Sequence, residues 1–173
     1  MERRRPVLSV VGNSGPVPQE VFDLAYDVGR RAVDAGFRVA TGGLDGVMEA
    51  VSRGARESPG WTEGMVVGVL PTLHADSANP WVDIAIPTGI GLARNALVVA
   101  IADVVIAVRG GSGTLSEIAL AWQFGKPVVA ITSTGGWAAE LAGRQLDHRR
   151  DGIVEAAATA AEAVAKAREL LGS

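Results

Sequence analysis

The stretch DVVIAVRGGSGTLSE, from Asp103 to Glu117, runs from an unbroken apolar segment through a glycine turn into a capped helix pattern. Asp103–Val108 is predicted to be a strand, and the nearly continuous apolar positions of Pro6–Val11 predict a first strand buried on both faces, as in a parallel sheet covered by helices on each side. The helix after the Gly110–Gly113 turn is expected to reach about Phe124. The same pattern recurs in both directions along the chain. Strands are predicted at Pro6–Val11, Phe37–Thr41, Met65–Leu70, Val82–Ile86 and Pro127–Thr132. Between them, helical spacing of apolar residues predicts helices at about Pro18–Ala35, Asp45–Glu57 and Ile90–Ala102. Pro71 to Pro80 reads as a loop. Strands alternating with helices imply right-handed crossovers and a mainly parallel sheet. The expected fold is therefore a single Rossmann-like, doubly wound α/β domain over residues 1–173, with helices on both faces. After Asp147 the pattern weakens, until Thr159 offers an N-cap for a last helix carrying Val164, Ala167, Leu170 and Leu171.

Of the 173 residues 22 are glycine, nearly twice the ordinary share, and their placement is uneven. Gly12 and Gly15 follow the first strand, Gly42, Gly43 and Gly46 the second, and Gly110, Gly111 and Gly113 the run that ends at Val108. In a parallel sheet all these exits lie on one edge, where open α/β sheets bind ligands. Helix N-termini beside such turns present unpaired N–H groups to an anion. The candidate phosphate-binding residues are thus Gly12, Ser14, Gly42, Gly43, Gly46, Asn95, Gly110, Gly111, Ser112, Gly113 and Thr114.

The turn is neither a Walker loop, since no Gly-Lys-Ser/Thr is present, nor a G-x-G-x-x-G dinucleotide fingerprint. Two charged residues stand beside it. Glu117 closes a Thr114-x-x-Glu117 capping box, or else serves as a general acid or base one turn from the phosphate. Arg94 interrupts an apolar helix pattern near a strand exit, which suits an anion clamp, with a salt bridge or a solvated face as the alternative. His74 and His148 show no metal-ligand spacing, the chain has no cysteine, and no metal site or cofactor is expected.

A net charge of -3 argues against nucleic-acid and anionic-membrane partners. The tract Ile90–Val108 contains Arg94, Asn95 and Asp103 and fails as a membrane span, so a cytoplasmic protein is expected. The weakly charged helices near Ala93–Ala102 and Leu115–Phe124 are core or subunit interface.

Gly110-Gly111-Ser112-Gly113-Thr114-Leu115-Ser116-Glu117 resembles the P-G-G-x-G-T-x-x-E signature of LONELY GUY (LOG) proteins. Thr41-Gly42-Gly43-Leu44-Asp45-Gly46-Val47-Met48 is similar to their upstream G-G-x-x-G-x-M segment, and Gly125-Lys126-Pro127-Val128-Val129 also matches. The resemblance extends to about residue 135 and implies a Rossmann-like fold and a homodimer or homotetramer. It also implies cleavage of the N-glycosidic bond of nucleoside 5'-monophosphates with release of ribose 5-phosphate. Carried over, Glu117 is the catalytic carboxylate and Arg94 the catalytic arginine, with Gly111 to Thr114 on the phosphate. Three departures point to a neighbouring branch of the superfamily, which includes molybdenum cofactor carrier proteins. Arg109 stands where the signature has proline, Asn95 where it has lysine, and Val47-Met48-Glu49 where the enzymes have Gly-Met-Gly. The alternative to a hydrolase is therefore a non-catalytic pterin phosphate carrier or a ligand sensor. The lysine decarboxylase label attached to some relatives finds no support, because Lys126 and Lys166 are the only lysines and neither lies in a recognisable pyridoxal-phosphate site.

Overall fold

The computed structural model describes residues 4–172; residues 1–3 and 173, the ends of the predicted domain, lie outside them. Seven strands form one sheet: β1 (Val7–Gly12), β2 (Arg38–Thr41), β3 (Val66–Leu70), β4 (Ile84–Pro87), β5 (Val104–Val108), β6 (Val128–Ile131) and β7 (Glu155–Ala157). Their order is β4-β3-β2-β1-β5-β6-β7 and every pairing is parallel. The chain winds outward from β1 to β4, returns to β1's other side at β5, and winds outward again. The reversal lies between β1 and β5, where Gly12 stands opposite Val108. That is the position at which an open α/β sheet leaves a crevice beyond its strand C-termini.

Alternate strand residues face opposite layers. Leu8, Val10, Val39, Ile106 and Ile131 pack under α1 (Gln19–Asp34), α2 (Val47–Arg56) and α6 (Ala160–Gly172). Val11, Val105, Ala107, Val128 and Ala130 pack under α3 (Asn95–Ala100), α4 (Ser112–Gln123) and α5 (Gly136–Leu141). All five residues of β5 are buried, as an apolar run without alternation requires. Helices α1 and α2 meet through glycine. A Cβ on Gly29 would overlap the Val51 carbonyl, and one on Gly54 would overlap the Tyr26 carbonyl, so the two backbones approach reciprocally.

The predicted doubly wound fold is present, with local differences. The segment Ile90–Ala102 is not one helix: a 3₁₀ turn at Gly91–Arg94, opened by Gly91 at φ +58°, precedes α3. The fourth strand is shifted to Ile84–Pro87. Two elements were not anticipated. Helix α5 begins at Gly136, shortly after β6, and β7 is a three-residue strand that pairs only with β6. Thr159 does cap α6, since the Glu162 N–H donates to Thr159 Oγ1 (3.2 Å) and the Ala158 N–H to the Glu162 carboxylate (2.8 Å).

Candidate functional site

A cleft of about 270 Å³ opens at the β1–β5 reversal. Of the predicted site residues, Gly12, Ser14, Gly42, Arg94, Asn95, Gly111, Ser112, Gly113, Thr114 and Glu117 line it. Gly43, Gly46 and Gly110 do not line it. Gly43 turns the chain after β2, where its carbonyl accepts from Asn79, and Gly46 packs against the Asn13 and Gly15 carbonyls. The sequence reading missed Asn13, and it missed the apolar walls supplied by Leu44, Met48, Pro71 and Leu92. Asn13 carried a signal in its place between Gly12 and Ser14; the apolar four come from separate turn, helix and loop segments and share a wall only once the fold brings them together.

The glycine turn leads directly into α4. Its Leu115 N–H is the first to find a helical acceptor, on the Gly111 carbonyl at 3.0 Å, so the amides of Ser112, Gly113 and Thr114 are the unpaired donors of the helix start. Thr114 is therefore the third residue of the helix, and the N-cap is Gly111, without a side-chain cap bond. The capping-box reading of Glu117 gives way. Its carboxylate is buried, 6% exposed, and faces Arg94, with Oε1 3.7 Å from Nη1.

Arg94 is 7% exposed. Nη1 donates to Asn95 Oδ1 (2.8 Å) and Nη2 to the Gly42 carbonyl (3.3 Å). Gly42 leaves the space, since a Cβ there would overlap the guanidinium. Asn95 donates in turn to Ser116 Oγ (3.2 Å), which donates to the Gly113 carbonyl (2.6 Å). One network thus ties the exit of β2 to the start of α4. Arg94 Nε has no hydrogen-bond partner, alone among buried side-chain polar atoms of the described residues. A buried donor left unpaired is costly unless a ligand supplies its acceptor.

Burial pushes the Glu117 carboxyl up to about 7, against the opposing pull of Arg94, while burial lowers the Arg94 pKa from its ordinary value. The native state therefore holds a proton that the unfolded state releases near pH 4.5. The stability this adds is complete below about pH 4.5 and is lost as pH rises through about 7. Glu117→Gln should abolish that descent and raise stability at pH 8 by up to about 3 kcal/mol, read from denaturant unfolding across pH 4–8.

No group of three or more His, Asp or Glu able to hold a metal occurs among the described residues, and no helix there is long and apolar enough to cross a membrane. Neither Lys126 nor Lys166 lines the cleft.

Sheet order, cleft position and helix start together define a Rossmann-like α/β protein with a crevice at its topological switch point. The chain belongs to the SLOG cluster4 family, whose profile matches residues 5–164. It falls within the LOG-like Rossmann superfamily, near the molybdenum cofactor carriers. The molybdenum cofactor carrier protein of Chlamydomonas reinhardtii is 33% identical and superposes with a TM-score of 0.83 over 98% of this chain and 100% of that one. The molybdenum cofactor binding protein of Rippkaea orientalis is 32% identical, with a TM-score of 0.83 over 97% and 98%. The cytokinin riboside 5'-monophosphate phosphoribohydrolase of Mycobacterium tuberculosis is 30% identical over 70% of this chain and 68% of its own.

Proposed function

We propose that the protein binds a phosphorylated pterin or nucleotide-like ligand in the β1–β5 cleft and holds it without breaking it, as a carrier does. The observation that carries this reading is the pairing of open α4 amides with a buried arginine whose Nε lacks an acceptor. The amides and the hydroxyls of Ser112 and Thr114 suit a phosphate, and Arg94 suits a second oxygen of the ligand. The apolar walls at Leu44, Met48, Pro71 and Leu92 suit a heterocycle. Near full-length likeness to two molybdenum cofactor proteins supports the carrier over the enzyme. Calorimetric titration with a pterin phosphate and with AMP should give saturable binding at micromolar concentration, with the ligand recovered intact. Absence of binding by both rejects the assignment.

The Glu117 carboxyl near 7 favours a second reading, a phosphoribohydrolase. There Arg94 would orient the ribose phosphate and Glu117 would stabilise the oxocarbenium ion or activate water. The C–N bond breaks, water adds hydroxyl to the sugar carbon, and the base takes the proton. Release of ribose 5-phosphate from AMP, abolished in Glu117→Gln, would move the assignment to this reading.

We also propose a homo-oligomer. From Ile84 to Ala102 the one charged residue is the buried Arg94, yet Ile86, Ile90, Leu92, Leu97 and Ile101 are exposed. An uncharged apolar face can meet its own copy about a two-fold axis without like-charge repulsion. Light scattering should give at least twice 17.8 kDa, and Leu97→Glu should return the mass to 17.8 kDa.

A further inference from the structure

Arg109 and Gly110, between β5 and α4, commit all four of their backbone polar groups to partners within the protein. The Arg109 N–H donates to Thr134 Oγ1 (2.8 Å) and the Gly110 N–H to Asn13 Oδ1 (2.8 Å). Their carbonyls accept from Ala138 N–H (2.8 Å) and Trp137 N–H (3.1 Å), at the start of α5. The Thr134 hydroxyl is held in turn by the Ile131 carbonyl (2.9 Å), and Arg109 Nη1 donates to the Thr134 carbonyl (3.1 Å). These bonds require Arg109 at φ +53° and Gly110 at φ +95°. Arg109 is the only non-glycine residue at positive φ among those described, a conformation that costs energy for a side chain with a Cβ and persists where the surroundings enforce it. Beyond this pair, the amides of Gly111 and the first turn of α4 are the first without a protein acceptor.

We propose that Arg109 is a positioning residue, whose left-handed backbone latches the β5–α4 turn onto Asn13 and Thr134 and thereby aims the Gly111–Thr114 amides into the cleft. The proposal rests on reading those amides as the phosphate contact. Proline, which the LOG signature has here, lacks the N–H and is fixed near φ −65°, so it cannot make this latch. Glycine can take the angle freely, and alanine makes the N–H bond at the same strain as arginine.

The test is the series Arg109→Gly, Arg109→Ala and Arg109→Pro together with Thr134→Val, with AMP and a pterin phosphate as probes. Affinity is measured by calorimetry, and the backbone amide resonances of Gly111–Thr114 are followed without ligand. Arg109→Gly should keep the resonances in place and the affinity within about threefold. Thr134→Val, which removes the acceptor, should weaken binding about tenfold. Arg109→Pro should weaken it about a hundredfold and displace the resonances. A folded Arg109→Pro with unmoved resonances and affinity overturns the proposal, as does a Thr134→Val that changes neither if the proline variant does not fold. If the unaltered protein binds neither probe, the carrier reading falls, while the ligand-free resonances still decide the latch.

Discussion

Arg94→Ala should lower the affinity for a phosphorylated ligand by about thirtyfold or more. The guanidinium is buried against Glu117, the Asn95 side chain and the Gly42 carbonyl, and its Nε has no partner within the protein. Truncating one partner of a buried, hydrogen-bonded charge pair costs about 2–5 kcal/mol, or roughly thirty- to several-thousand-fold in binding. The loss has two sources. The ligand oxygen forfeits its charged donor, and Glu117 loses the cation that opposes its burial, so its carboxyl is driven above about 7. Arg94→Lys should not restore binding, because an ammonium cannot reach the Gly42 carbonyl, Asn95 and the ligand with one planar fork. Calorimetry on the two variants, with circular dichroism to confirm folding, checks this. A loss below fivefold would remove Arg94 from the ligand contact.

The largest stability effect belongs to a residue far from the cleft. Gly54→Ala should destabilise the protein by about 3 kcal/mol, lowering Tm by roughly 6–12 °C for a chain of this length. The new Cβ would lie on the Tyr26 carbonyl oxygen, a backbone atom with no rotamer to change, so α1 and α2 must move apart. Alanine's higher helix propensity offsets only about 1 kcal/mol. Gly29→Ala meets the Val51 carbonyl from the other helix and should act alike. The double variant should cost less than the sum, because one separation of the helices relieves both overlaps. Differential scanning calorimetry would decide, and a Gly54→Ala protein melting with the unaltered one would refute the close approach.

Neither glycine could have been assigned this role from the sequence, because both sit within helices, where local rules give glycine only a penalty. What was legible followed from strong periodicity and from anomalies. The near-continuous apolar run at Pro6–Val11 pointed to a strand buried on both faces, and Arg94 stood out as a charge in an apolar pattern; the structure buries the middle of β1 and places Arg94 beside Glu117. The errors came where tertiary contacts override local pattern. Thr114-x-x-Glu117 has the spacing of a capping box, but the N-cap lies three residues earlier, at Gly111, and the buried arginine rather than the helix end takes the carboxylate. The true box-like cap lies at Thr159 and Glu162. Strand β7 carries Glu155-Ala156-Ala157, with no β-branched residue, and exists because the edge of β6 offers it hydrogen bonds. Asn13 acts on Gly110, which no reading of adjacent residues can show.

That last bond joins positions 97 residues apart. Strands β1 to β4 can pair in order as the chain is synthesised, each beside its predecessor, but the crevice has only one wall until β5 arrives on the far side of β1. Bringing these distant segments together is the slow, entropically demanding event in such a topology. The crevice is thus expected to be among the last parts of the molecule to mature, and a nascent chain ending before β5 would hold half the sheet with the crevice unformed. A ligand bound across the seam would fasten the two halves of the winding to each other, slowing their separation and lengthening the lifetime of the native protein.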